Sequence, residues 1–372
     1  MKKILIVGAG ISGLYLASLL EKDGRYNYKI YEKKPEIDFS EGYGIQLSVN
    51  GIRLLNQVGF KKIPVQDIFY PRKINFFDAK NLELISNIEI SRFNQDENYY
   101  STMKRSVLQK FLLCNIPKEK IRFNSNIVSI DEKDKVKINF DDNFSEEGDF
   151  LIICDGVFSK TKNMVIGKNE EIKFYNSVAL RGNLLNTDDK DISLYLGPNF
   201  HFVTYPINQK REYNFISVIK EKNLKKIQSS NQEKLIQYFI DKIQHHSSYN
   251  LNNNLENKSI YPIFVSNRLR IPENKNVYLA GDALFAFPPS FAQGASQSIE
   301  SAYEVYKNIE GKRENYFHSR KIKIRQVNSR STLNHFAFHA SNPMITFARN
   351  LSLKYLVNKN IFLENYLGKI YR

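Results

Sequence analysis

The segment Lys2–Glu32, KKILIVGAGISGLYLASLLEKDGRYNYKIYE, constrains the fold of this chain more than any other stretch. Its apolar run Ile4–Val7 reads as a buried parallel strand. The strand empties into a G-x-G-x-x-G turn, Gly8-Ala9-Gly10-Ile11-Ser12-Gly13. Leu14, Leu16, Ala17, Leu19 and Leu20 supply the apolar side of a helix, Gly24 its C-cap, and Tyr28–Tyr31 a second strand tipped by Glu32. Gly8 permits a tight turn, Gly10 lets the backbone approach a pyrophosphate, and Gly13 lets helix and strand pack closely. Phosphates then meet the free N–H groups and positive dipole end of the helix. Glu32 follows Gly13 by 19 residues, where an acid accepts hydrogen bonds from a ribose diol and disfavours a 2′-phosphate. The expected ligand contains ADP and is not NADP.

Two further apolar runs end in polar motifs. Phe150–Cys154 stops at Asp155-Gly156, and Val277–Ala280 stops at Gly281-Asp282. Asp155-Gly156 alone reads equally well as a β-turn. A parallel sheet presents ligands at the C-terminal ends of its strands, so all three motifs can meet one extended cofactor. The strand-rich blocks between them, Ile74–Ile90, Ile121–Phe140 and Lys173–Ile219, with the strand Tyr261–Val265, are then expected outside that sheet. The fold class expected is α/β: a Rossmann-like parallel-sheet domain, an inserted and mainly antiparallel β-sheet substrate domain, and C-terminal helices. The segments 1–72, 101–172 and 271–310 would form the first, 73–100 and 173–270 the second, and 311–372 the helical tail. Locally, Gly42–Asn50 reads as a loop, with Asn50 capping a helix closed by Gly59. Ser101–Leu113 reads as a helix carrying Arg105, Phe144–Gly148 as a turn, and Asn223–Ile243 as a polar helical insert.

Composition sets outer bounds. At 372 residues the chain can build two substantial cores. No apolar run approaches 18 residues and the N-terminus lacks a signal peptide's regions, so no membrane span is expected and nothing before Gly8 can be removed. Cys114 and Cys154 provide neither a disulfide framework nor metal spacing, which suits a reducing cytoplasm. The net charge of +15 favours anions: a nucleotide, an acidic substrate or an acidic lipid. Lysine pairs scattered at Lys2-Lys3, Lys33-Lys34, Lys61-Lys62 and Lys225-Lys226 form no single stripe, so nucleic acid is not an expected partner.

The C-terminal motif carries a family resemblance. Val277-Tyr278-Leu279-Ala280-Gly281-Asp282-Ala283, then Pro288-Pro289, then Ala292-Gln293-Gly294-Ala295-Ser296-Gln297-Ser298-Ile299-Glu300 resembles the G-D motif and glycine-led helix of the single-component FAD-dependent aromatic hydroxylases. Arg181-Gly182, Tyr205-Pro206, Arg320, Arg325, Val327, Ser329 and His339 are similar to the salicylate- and urate-hydroxylase branch. The resemblance implies tightly bound FAD. Gly8, Gly10, Ser12 and Gly13 would hold its pyrophosphate, and Glu32 with Lys33 its adenosine ribose. Gln46 and Asp155 would line the site, Arg105 would approach from its helix, and Val128 would meet the adenine through its backbone. Gly281 and Asp282 would take the ribityl side. Gln293, Gly294 and Ala295 would aim backbone N–H groups at the flavin N1–C2=O edge, where a helix N-terminus stabilises the charge of reduced flavin.

What the resemblance implies chemically is transient NADH or NADPH reducing the flavin. O2 then forms a C4a-hydroperoxide that hydroxylates a small aromatic or polyketide-like substrate. One dinucleotide fingerprint is present, so the nicotinamide has no Rossmann domain of its own. Arg181, His201 and Pro289 are the candidate catalytic residues. Arg181 would meet an anionic substrate or form an interdomain salt bridge, and His201 would act as general base or simply pack. Alternation puts His201, Val203 and Tyr205 on one strand face and Phe202 and Thr204 on the other. The chain departs from the family at Leu284-Phe285, at Ala292 and at Lys162, which stands where an arginine is usual. Those departures keep open a flavin reductase without oxygen transfer and a flavin-binding regulatory protein. A halogenase is discounted because the chain has no tryptophan. A monomer or homodimer is expected.

Overall fold

A computed structural model describes residues 1–40, 42–167, 172–185, 187, 189–223, 231–252, 254–311 and 316–372. Among them, the parallel sheet runs in the order Val277–Leu279, Phe150–Ile153, Lys3–Val7, Asn27–Tyr31, Ile121–Arg122. Because these strands are parallel, the three motif-bearing ends emerge along one edge. Backbone hydrogen bonds lock the ends together: Gly8 N–H donates to Tyr31 O at 2.8 Å, Cys154 N–H to Val7 O at 2.7 Å, and Ala280 N–H to Ile153 O at 2.9 Å. Both faces are covered, so Ile4, Leu5, Ile6, Leu151, Ile152 and Ile153 are all fully buried.

The helices used below are α1 (Ile11–Asp23), α2 (Val49–Asn56), α3 (Arg105–Cys114), α4 (Lys160–Ile166), α5 (Gln232–Gln244), α6 (Gly294–Ile309), α7 (Tyr316–Phe338) and α8 (Pro343–Leu356). α1 ends as expected at Gly24, left-handed at φ 71°, whose N–H reaches Leu20 O at 3.1 Å. α6 packs against α1 and α2, and α7 is pinned to α6 by Arg320. That guanidinium is buried, donates to Gln297 Oε1 at 2.8 Å, and lies 3.4 Å from Glu300 and 3.5 Å from Glu304. Removing either acid would leave a buried charge partly uncompensated.

The second sheet runs Leu255–Ser266, Ile172–Leu184, Tyr213–Lys220, Phe200–Pro206, Ile192–Gly197, Lys73–Asp78, Leu84–Glu89. It is antiparallel except where Lys73–Asp78 lies parallel to Ile192–Gly197. One face packs on α5 through Phe202, Phe215, Phe239 and Ile243; the other looks toward α7 and α8.

Several local expectations change. Ile121–Arg122 joins the parallel sheet beside Asn27–Tyr31, because short range alternation does not report which neighbour a strand finds. Ser101–Lys104 is a strand paired antiparallel with Gly44–Leu47, so the expected loop is a strand and α3 starts only at Arg105. Ser145–Gly148 is a strand rather than a turn; the turn falls just before it. α2 begins after Ser48, with Asn50 inside it, and ends at Asn56 before Gly59. Part of the Asn223–Ile243 insert, including Lys225-Lys226, lies outside the described residues; its remainder is α5.

Candidate FAD and substrate site

Each fingerprint glycine has a distinct steric situation. Gly8 is at φ 98°, and a Cβ there would stand 2.7 Å from Cys154 O. A Cβ on Gly13 would stand 2.1 Å from Gly8 O, so α1 can approach its strand only without a side chain. A Cβ on Gly10 would meet nothing nearer than Cys154 O at 3.9 Å. Packing therefore requires the first and third glycines, whereas the second borders open space. Ser12 is buried and donates to Ser298 O at 3.1 Å, tying α1 to α6.

That space is a cleft of about 390 Å3 lined by Gly8, Gly10, Glu32, Lys33, Arg105 and Asp155, with Gln109 and Thr161 beside them. Glu32 accepts from Ala9 N–H at 2.8 Å and from Lys34 N–H at 3.0 Å. A carboxylate has further lone pairs for a ribose diol. Asp155 carries a buried Oδ1 without a hydrogen-bond partner among the described residues, and burial raises its pKa against the lowering effect of hydrogen bonds from Ser159 and Thr161. Val128 does not line the cleft. Its side chain is 51% exposed, and the wall stops at Ser125, Asn126 and Ile127.

A second cavity, about 710 Å3, abuts the first: Gly156 faces the cleft and Val157 the cavity. Asp282 projects into this cavity. The void keeps its surface accessible, but the surrounding protein desolvates the carboxyl and pushes its pKa up to about 6, with Arg105 across the boundary opposing. Gly281, at φ 62°, positions it; a Cβ there would lie 2.3 Å from Ser12 Oγ. α6 starts at Gly294 without a side-chain cap, so Gly294 and Ala295 present the helix N-terminus to the cavity. Gln293 turns away and donates to Ser48 Oγ at 3.0 Å. Gln46 lines the cavity and accepts from Tyr100 OH at 2.8 Å.

These residues fit FAD. An orphaned acceptor, an open glycine, an acid at the ribose position and an uncapped helix N-terminus lie along one path that crosses from cleft to cavity. That arrangement defines a dinucleotide-binding flavoprotein.

Comparison with known proteins is consistent with that class. The FAD binding domain family matches residues 1–311. The chain belongs to that family; it is a flavin-dependent oxidoreductase with FAD as its cofactor. It is similar to 3-amino-4-hydroxybenzoate 2-monooxygenase of Streptomyces cremeus, at 26% identity over 58% of this chain, a match that spans only 56% of that protein's length. It is also similar to 3-hydroxybenzoate 6-hydroxylase of Klebsiella oxytoca, at 25% identity over 82% of this chain and 79% of that one. In fold it resembles Klebsiella pneumoniae HpxO, solved with FAD and uric acid, with a TM-score of 0.82 at 19% identity over 100% of this chain and 96% of that one.

The remaining expected residues fall in the larger cavity. Its walls are apolar, and they include His201, Val203 and Tyr205, the face that alternation assigned. Pro289 opens a turn, Pro289–Phe291, that lines the cavity together with Gly294. Arg181 lines the cavity with its guanidinium 5.5 Å from the ring centre of Tyr43. No salt bridge involves Arg181 among the described residues, which removes the interdomain ion pair as its role there.

His201 is buried, with Nδ1 3.0 Å from His339 Nε2. The same His339 nitrogen is 3.0 Å from Val218 O. A carbonyl only accepts, so His339 Nε2 carries the proton and His201 Nδ1 accepts it. The proton of neutral His201 is then on Nε2, and neither ring nitrogen has a lone pair to spare. Burial, then His339 and His335, push the pKa of His201 well below the ordinary histidine value. His335 completes the cluster, its ring centre 4.1 Å from that of His339.

Sequence reading missed this cluster, the Tyr43–Arg181 stack and the α8 wall. His201 is 138 residues from His339 and Tyr43 is 138 from Arg181, so no local signal joins them; the i, i+4 spacing of His335 and His339 is the one signal that could have been read.

Proposed function

We propose that the protein is an FAD-dependent monooxygenase that uses NADH or NADPH and O2 to hydroxylate a small aromatic or polyketide-like compound, with an anionic group favoured. The observation that carries the reading is the apolar cavity abutting the FAD cleft at Asp282 and Gly294, with Arg181 in its wall forming no salt bridge among the described residues. The aromatic relatives support the substrate class. FAD supplies the electron transfer and oxygen activation. The protein's residues do the rest. Gly294 and Ala295 place helix N–H groups where negative charge grows on the flavin edge. Phe287, Pro288, Pro289 and Phe291 keep water from that edge. Arg181 holds an anionic substituent and so fixes which ring carbon faces the flavin. His201 remains neutral; we assign it packing and no proton transfer.

In this reading 1–72, 101–172 and 271–310 hold FAD, 73–100 and 173–270 wall the substrate, and 311–372 roofs it. The enzyme works in a reducing cytoplasm as a monomer or homodimer. The test is NADH and NADPH oxidation by FAD-loaded protein across hydroxybenzoates, hydroxynicotinates and urate. At least one should stimulate turnover and gain 16 mass units. Stimulation without any hydroxylated product would favour a reductase.

A further inference from the structure

α8 is apolar on two faces. Ile345, Ala348, Leu353 and Leu356 line the cavity. Met344, Phe347, Leu351 and Tyr355, spaced three, four and four residues apart, do not line it and are 80, 70, 57 and 63% exposed. That stripe runs the length of a well-formed helix, with Pro343 in its first turn and the Asn342 side chain accepting from Met344 N–H at 2.9 Å. Ile361, 80% exposed, follows just beyond it. A helix apolar all round is ordinarily covered on both sides, and a contiguous exposed patch of large side chains marks a contact surface.

The charge pattern says what covers it. On α8 and the turn after it, residues 343–363 carry Arg349, Lys354 and Lys359 and no Asp or Glu. Lys354 and Lys359 are exposed beside the stripe, with Lys359 Nζ 4.7 Å from the Tyr355 ring centre. Large apolar side chains flanked by unopposed lysines suit the interface of an anionic bilayer. No helix among the described residues is long and apolar enough to cross a membrane, so the contact is parallel to the surface.

We propose that α8 docks the protein on an anionic phospholipid surface, with Met344, Phe347, Leu351 and Tyr355 in the acyl boundary and Lys354 and Lys359 against the headgroups. The opposite face of α8 roofs the large cavity, so docking places that roof at the membrane. This inference does not depend on which reaction the enzyme performs.

The experiment is flotation of the FAD-loaded full chain with phosphatidylcholine vesicles, with and without about one-third phosphatidylglycerol. Binding is expected to the anionic vesicles, weakened but not abolished by 0.5 M salt. F347D/L351D should lower partitioning about a hundredfold, each lost apolar side chain being worth about tenfold. Bound FAD and thermal stability should be unchanged, since neither residue touches the cavity or cleft. Failure to float with anionic vesicles overturns the proposal. So does binding that salt abolishes and the double variant leaves intact, which would be unspecific attraction of a basic protein. A wild-type dimer that ignores vesicles and is split by F347D/L351D would assign the stripe to a second copy of the chain instead.

Discussion

Alanine at Gly10 and at Gly13 should separate cofactor binding from folding. At Gly13 the added Cβ would stand 2.1 Å from Gly8 O, a backbone atom that cannot swing aside as a flexible side chain can. α1 must retreat by about 1 Å from a strand whose far side is fully packed, at the upper end of the roughly 1–3 kcal/mol usual for overpacking. The better helix propensity of alanine returns at most about 1 kcal/mol, so a net loss near 2 kcal/mol is expected. At Gly10 φ is −77° and the nearest atom is 3.9 Å away, so FAD-free stability should move by less than about 1 kcal/mol, the scale of a weakened N-cap. The new methyl instead enters the space of the pyrophosphate. Losing two charged hydrogen bonds there would cost about 3 kcal/mol, or roughly a hundredfold in affinity. Urea denaturation of the FAD-free proteins and flavin-fluorescence titration read the two quantities. A Gly10→Ala protein that binds FAD like wild type, or a Gly13→Ala protein of unchanged stability, would refute the assignment of roles.

Three further outcomes follow from the site. Asp282→Asn removes a desolvated carboxylate, so FAD affinity should fall about tenfold to a hundredfold while the FAD-free protein melts no lower. Full retention of flavin after dialysis would contradict this. His335 and His339 are pushed down by burial to about 3 and about 4, against 6.5 when free. With the folded value depressed, the unfolded chain binds protons first. Stability is therefore intact above about pH 6.5 and falls below it, by about 2 kcal/mol per histidine at pH 5. The raised pKa of Asp282 partly offsets this. A melting temperature that is flat between pH 7 and 5 would show that the histidines titrate normally. Arg181→Ala should raise KM for a carboxylate substrate at least tenfold with FAD content unchanged; equal loss with neutral phenols would mean the arginine recognises no anion.

The parallel sheet and its three motifs were legible because each is local: an apolar run, then glycine or Asp-Gly. The boundary errors lie where pairing partners are distant. Ser101–Lys104 runs directly into the helix that follows it and is a strand because Gly44–Leu47 is there to pair with it. The steric clearances at Gly8, Gly10 and Gly13 could be read from spacing, since backbone clearance follows from the turn itself. By contrast, Tyr43 under Arg181 and the triad of His201, His335 and His339 depend on how the second sheet meets α7. The role of α8 was hidden for another reason: with apolar residues on both faces, it lacks the single stripe that periodicity detects.

The reaction proposed for this enzyme is oxygen transfer to an aromatic ring in the cavity over Gly294. The direct measurement is turnover under 18O2 with NADH or NADPH and the substrate that most stimulates reductant consumption, followed by mass spectrometry of the product and a peroxide assay. The product should be heavier by one 18O atom, with little H2O2. Reductant consumed wholly as H2O2, or oxygen in the product derived from water, would contradict it.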